Sequence, residues 1–246
     1  MNIRVFDNER QAGLAAAYLI AAQIVGKSEA VIGLATGSTP IPAYQELIRL
    51  TQAGVLDWSR VTTFNLDEYV GLPGDHEQSY RAFMMKNLFD KVNIRKEAIH
   101  IPNGMAEDLT EECIAYERAI QARGGIDLQL LGLGRNGHIG FNEPDQVFST
   151  MTHVVNLTED TIEANARFFS RSEDVPRQAI SMGIGTIMKA RKIVMLATGA
   201  QKARAVRSMI CQAVDPACPA SILQLHADVT VLLDHAAATA LNHSCV

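Results

Sequence analysis

The stretch LLGLGRNGHIGFNEPD, residues 130–145, sets Gly132, Gly134 and Gly137 in G-x-G-x-x-G spacing at the end of an apolar run, IDLQLLGL (126–133). A dinucleotide-binding fingerprint has the same glycines, with the third opening a helix and an acidic residue about 20 positions on, after the next strand. Glu159 and Asp160 lie near that distance, so spacing alone passes. The helix does not. Gly140 and Pro144 follow closely, and HIGFNEP (138–144) has no helical period. The fingerprint also normally opens its domain, whereas this stretch lies past the middle of the chain. Its glycines therefore read as a sharp turn after a buried strand. The turn gathers Asn136, His138, Asn142 and Glu143. An imidazole suits proton transfer near neutral pH, and a neighbouring carboxylate and amide can fix its tautomer or charge. A satisfied structural histidine is the usual reading of a single His. It persuades less amid flexible glycines and further functional groups.

Outward from this turn, short strand-like runs at 3–6, 30–35, 60–66, 126–133, 152–157, 192–198 and 228–234 alternate with helical patterns. In PAYQELIRL (42–50), Ala43, Leu47 and Leu50 share one helical face. In TEECIAYERAI (110–120), Cys113, Tyr116 and Ile120 do the same. The alternation predicts βαβ units, hence an α/β fold with a mainly parallel sheet and helices on both faces. No linker or charge block divides the chain and no solenoid repeat appears, so one domain over 1–246 is expected. In such sheets ligands bind beyond the carboxyl ends of the strands, which directs attention to the loops there.

Hydrophobic residues at 48% and charged residues at 20% describe an ordinary soluble globular chain. The net charge is −5 and the basic residues are scattered, which argues against nucleic acid or an anionic membrane as partner. Cys113, Cys211, Cys218 and Cys245 share no metal-ligand or C-x-x-C spacing, so reduced thiols in the cytoplasm are expected. The N-terminus has no signal-peptide pattern and no apolar run approaches roughly 18 residues. His76, His100, His153, His226, His235 and His243 form no ligand pair, so no metal is expected, and no G-x-S-x-G elbow exists.

Three other loops offer chemistry. In GLATGSTPIPAY (33–44), Thr36, Gly37, Ser38 and Thr39 link a strand to a helix start, where free N–H groups and hydroxyls can hold an anion. The bland alternative is a βα turn with Ser38 or Thr39 as N-cap. The G-K-[ST] ending of a nucleotide loop is missing, which argues against a nucleoside triphosphate. In NLDEYVGL (65–72), Asp67 follows an apolar strand where a general base could serve, while Glu68 reads as a solvated strand end. In ATGAQKARAV (197–206), Lys202 sits at a helix start against the macrodipole, beside a second TG turn, and a shared anion explains both. Arg167, in ANARFF (164–169), is a weaker candidate of this kind. Together these suit acid/base chemistry on a small phosphorylated metabolite, without cofactor.

NLDEYVGL, GRNGHIGFNEP (134–144), ANARFF and GAQKA (199–203) resemble motifs of the glucosamine-6-phosphate deaminases, and the similarity runs nearly end to end. The resemblance implies a Rossmann-like fold and conversion of glucosamine 6-phosphate and water to fructose 6-phosphate and ammonia. It implies Asp67 as the base moving a proton between C2 and C1, and His138 as the ring-opening group, oriented by Asn136 and Glu143. Thr36, Gly37, Ser38, Thr39, Arg167 and Lys202 would hold the phosphate. Allosteric relatives carry basic residues just after FNEP; here DQVFSTMTHVVNL (145–157) has His153 and no Lys or Arg, and the chain ends at Val246. That implies a short, unactivated, monomeric type. Two other readings compete. A 6-phosphogluconolactonase resembles this fold and has a similar G-x-x-x-G-H loop but lacks the NLDEY and FNEP combination. A non-enzymatic sugar-phosphate sensor would usually lose the acid/base residues and gain a DNA-binding segment.

Some deaminases have Asp where this chain has Asn136. Asn can hydrogen-bond, but it cannot supply the charge with which a carboxylate would hold a proton on the imidazole. Asn136→Asp is therefore expected to move the acidic limb of the pH–rate profile to higher pH. An unchanged limb would disprove this.

Overall fold

The computed structural model describes residues 1–158, 162 and 175–241. Its strands are β1 (Asn2–Phe6), β2 (Val31–Leu34), β3 (Thr62–Asn65), β4 (Asp67–Tyr69), β5 (Ile99–His100), β6 (Leu128–Gly132), β7 (His153–Asn156), β8 (Gln178–Ser181), β9 (Ile193–Ala197) and β10 (Val229–Asp234). Seven of them form one sheet in the order β1-β10-β9-β6-β2-β3-β5, and every pairing in it is parallel.

Successive side chains of a strand point to opposite faces, so a sheet covered on both sides needs apolar residues at both parities. The strands here supply them. Ile32, Leu34, Leu128, Leu130, Val194, Leu196 and Leu232 pack on one side with α1 (Glu9–Gly26) and α2 (Ile41–Gln52). Val31, Phe64, Leu131, Met195, Val231 and Leu233 pack on the other, against Tyr116 and Ile120 of α4 (Leu109–Ala122) and Val206 and Met209 of the helix Ala203–Cys211. The starts of α1 and α4 carry their own caps: Asn8 accepts from the Gln11 N–H at 3.0 Å, and Asp108 from Thr110 and Glu111 at 2.9 and 3.0 Å. α1 buries a run of small residues, and its Gly13 lets α2 come so close that a methyl there would lie 2.7 Å from Pro42 Cβ.

The predicted mainly parallel α/β fold is thus present, with one relocation. The 152–157 run forms β7, but in a second, three-stranded antiparallel sheet, β4-β8-β7. β7 is only half-buried, so its composition suits a sheet with a wet face rather than the sandwiched one. β4, β5 and β8 are too short to announce themselves by periodicity. Among the described cysteines the expectation of reduced thiols holds for Cys113 and Cys218, which are free, and fails for Cys211, which is disulfide-bonded. A disulfide requires only proximity of the two Cα atoms in space, which spacing along the chain does not reveal. Among the described residues no helix is long and apolar enough to cross a membrane.

At the amino-terminal edge of the sheet, buried Asp127 accepts hydrogen bonds from Lys27 Nζ (2.7 Å) and the Val31 N–H (2.8 Å), with Arg191 Nε at 3.3 Å. It ties β2, β6 and the approach to β9 together at the end opposite the carboxyl-end loops. Asp127→Ala strands the Val31 N–H and is expected to lower unfolding free energy by about 2 kcal/mol. A urea melt would show this, with activity retained below the transition.

Candidate active site

β6 pairs with β9 on one side and with β2 on the other, and β2 pairs with β3. The chain's direction of winding reverses between β6 and β2, where open α/β sheets form their crevice. Four carboxyl-end segments consequently lie side by side: 198–202 after β9, 133–143 after β6, 35–39 after β2, and Asp67 after β3.

The 133–143 segment forms no helix. Gly134 N–H donates to the His138 carbonyl at 2.9 Å, Gly137 N–H to the Gly134 carbonyl at 3.2 Å, and Ala220 N–H to the Gly137 carbonyl at 2.9 Å. Gly137 has φ of 90° and Gly140 of 59°, the left-handed region that favours glycine. Gly134 is needed for space, since a Cβ there would lie 2.4 Å from the His138 ring. Asn142 pins the far end: its amide donates to the carbonyls of Ile139 (2.8 Å) and Met182 (2.9 Å), and its oxygen accepts from the Ser149 hydroxyl. The loop folded this way brings His138 Nδ1 to 3.3 Å from Glu143 Oε2, within ion-pair distance though not aligned as a hydrogen bond. Asn136 Nδ2 donates to the same carboxylate oxygen at 2.6 Å, and its Oδ1 accepts from the His138 N–H at 3.2 Å. Asn136, His138 and Glu143 therefore meet as the sequence led one to expect. Glu143 and Asn142 also line a cavity of about 400 Å³ with Phe148, His153 and Asn156, and neither Asp67 nor His138 belongs to its wall.

Asp67 opens β4 opposite Ser181 of β8 and is only 6% exposed. Ser181 Oγ accepts from the Phe141 N–H at 3.0 Å, which draws the His138 loop over the carboxylate. A Cβ on Gly140 would lie 3.0 Å from Ser181 Oγ and 3.6 Å from Asp67 Oδ2. Burial, with a smaller contribution from the charge of Glu68, pushes the Asp67 carboxyl up to about 8. The hydroxyls of Tyr44, Tyr80 and Tyr116 are raised chiefly by burial, and each also feels the charge of Asp67. Glu68 differs entirely. It accepts N–H bonds from Tyr69 (2.9 Å), Tyr80 (2.8 Å) and Arg81 (2.9 Å), the last two at the start of α3 (Tyr80–Asn87). It is structural, but a buried helix cap rather than the solvated strand end expected.

Gly37 has φ of 96° and turns the chain into α2, whose N-cap position is Pro40, without a side-chain cap. Neither Ser38 nor Thr39 caps the helix, so the bland reading of that turn is not what forms. The Thr36 side chain lies beside the Tyr80 hydroxyl, which donates to the Tyr69 hydroxyl at 3.2 Å. In the second turn, Gly199 has φ of 90° and its N–H rests on the Asp234 carboxylate at 3.0 Å. Lys202 follows, its ammonium pushed down first by burial and then by the charge of Arg135. Sequence reading passed over Arg135, although it lies in the opening stretch, because proximity of separate loops leaves no local pattern. Arg167 lies outside the described residues. Among the described residues no cluster of His, Cys, Asp and Glu could hold a metal ion.

Residues 8–232 match the family described as glucosamine-6-phosphate isomerases/6-phosphogluconolactonase. The chain belongs to this family. Among its relatives, a protein of Alkaliphilus oremlandii named glucosamine-6-phosphate deaminase is 52% identical over 98% of this chain and all of its own. One of the same name from Clostridioides difficile is 56% identical over 92% of this chain and 91% of its own. A solved structure described as a monomeric glucosamine-6-phosphate deaminase superposes with a TM-score of 0.95 at 44% identity, over 98% of this chain and all of that one. The 6-phosphogluconolactonase of Trypanosoma brucei, at 21% identity and TM-score 0.77 over 98% of each chain, shares the fold.

A carboxyl whose folded pKa is raised binds its proton in the native state when the unfolded chain has lost it. Native stability then falls as pH rises from the ordinary carboxylate range to about 8. Asp67→Asn removes that dependence. The variant is expected to be more stable than wild type by on the order of 1–2 kcal/mol at about pH 8, with the gain vanishing near about pH 4. Chemical denaturation at the two pH values measures the difference.

Proposed function

We propose that this chain is a glucosamine-6-phosphate deaminase, in which Asp67, His138, Glu143 and Asn136 carry the chemistry and the 36–39 turn, Lys202 and Arg167 bind the phosphate. Supporting observations are the names of its relatives and, above all, a dry carboxyl and a carboxylate-paired imidazole on adjacent carboxyl-end loops. His138 relays a proton from the anomeric hydroxyl to the ring oxygen, which opens the pyranose. Asp67 then takes the proton on C2 and returns it to C1 through an enolamine. Water adds to the resulting imine at C2, and ammonia leaves.

A proton on carbon is weakly acidic, so its acceptor has to be desolvated and aligned. Asp67 is desolvated, since no described residue donates a hydrogen bond to it and the loop covers it. The C2 ammonium of the substrate, bound beside it, favours the ionised carboxylate. Phosphate held on separate loops fixes the sugar so that C2 meets the carboxylate. The reaction as written needs no cofactor. We further propose that the chain acts as a single domain over 1–246 and, like the solved relative described as monomeric, as a monomer in the cytoplasm, where a phosphorylated sugar is retained.

A coupled assay for ammonia and fructose 6-phosphate tests the proposal. In deuterium oxide, label is expected at C1 of the product. Asp67→Asn is expected to lower kcat by about 10³-fold while sparing KM. Lactone hydrolysis without ammonia release would overturn it in favour of the lactonase reading.

A further inference from the structure

Arg135 carries a positive charge that no described residue pairs. It is exposed, and among the described residues its guanidinium forms no ion pair or hydrogen bond. Most such arginines are solvated surface charges with no role. Two features set this one apart. It stands on the turn closed by the Gly137 N–H to Gly134 carbonyl bond, at the carboxyl end of β6, next to the strand whose turn carries Lys202. The second is Lys202 itself. It is half-buried, has no carboxylate partner among the described residues, and lies close enough to Arg135 for the two charges to repel. A protein gains nothing by holding two like charges together over a crevice unless an anion joins them. Across β6, on the β2 side, the Ser38 and Thr39 hydroxyls likewise have no partner among the described residues.

Resting on the phosphate-site reading above, we propose that Arg135 is a substrate-binding residue: it completes the phosphate site from the His138 side, beside Lys202. The pair suits a dianion. A guanidinium presents two parallel N–H donors to two phosphate oxygens, while the ammonium acts as a point charge on the third. Because Arg135 is exposed, it also draws the substrate in before contact, an attraction that salt screens. Because it precedes His138 by three positions on one short loop, the phosphate and the sugar ring are gripped by the same segment.

The test uses the full chain with glucosamine 6-phosphate and with unphosphorylated glucosamine, across a range of ionic strength. Arg135→Gln is expected to raise KM for the phosphorylated sugar about tenfold with kcat nearly unchanged, and to flatten the fall of kcat/KM with salt. Arg135→Lys should recover part of the loss. Turnover of glucosamine, however slow, should be the same in wild type and Arg135→Gln. A loss shared by both sugars would mean that the loop had merely been disturbed, and would overturn the proposal. Lys202→Gln, run in parallel, separates the layers. If it raises KM while Arg135→Gln changes neither KM nor the salt dependence, the role of Arg135 is refuted and the phosphate site stands. If neither substitution moves KM, the phosphate-site reading fails and takes this inference with it.

Discussion

A carboxyl group buried without a donor is the constraint around which this molecule is arranged. Asp67 is nearly dry, and both its burial and the second carboxylate of Glu68 disfavour its charge. Left to itself such a group would rotate to water or be replaced. It stays because the small antiparallel sheet fixes its backbone against Ser181, while the His138 loop lies across it. The three-stranded sheet therefore has a purpose the large sheet cannot serve. A parallel strand end points its last residue into the crevice, whereas β4 turns away from β3 and lays the carboxylate under the loop.

Glu68 shows how environment divides two adjacent carboxylates. Both are buried, and burial raises both. Three backbone N–H groups, that of Tyr69 and two at the start of α3, pull Glu68 back, and none does so for Asp67. One becomes a helix cap that also holds β4 in place. Its neighbour is left poised to exchange a proton. This division is a matter of which backbone amides happen to be near, and the dipeptide Asp-Glu carries no trace of it.

That contrast shows what can be read from the chain itself. The large sheet was legible because its strands are long apolar runs at regular intervals, and because Leu128, Leu130 and Leu131 are apolar at both parities. The meeting of Asn136, His138 and Glu143 was legible because they fall within a single turn, where close spacing along the chain enforces closeness in space. β4 and β8 were not, since three or four residues show no period. The buried cap role of Glu68 depends on Tyr80 and Arg81. The approach of Arg135 to Lys202 depends on β6 and β9 being neighbours. Pairings of this kind are products of topology and become visible only with it.

The glycines of the 130–145 stretch explain why it imitates a dinucleotide fingerprint. In that fingerprint the glycines let backbone approach a ligand's pyrophosphate and a helix pack on a strand. Here they make room for the protein's own groups. Gly134 admits the imidazole, Gly137 takes a left-handed φ where Cys218 Sγ would otherwise meet a side chain, and Gly140 clears the space above Asp67 and Ser181. A methyl at any of the three would displace a neighbouring side chain in or beside the site, and a displacement of about 1 Å can cost roughly 10²-fold in rate. Spacing is shared because a strand end that must turn sharply leaves few positions for glycine. What differs is what fills the space the glycines leave, and that determines the chemistry.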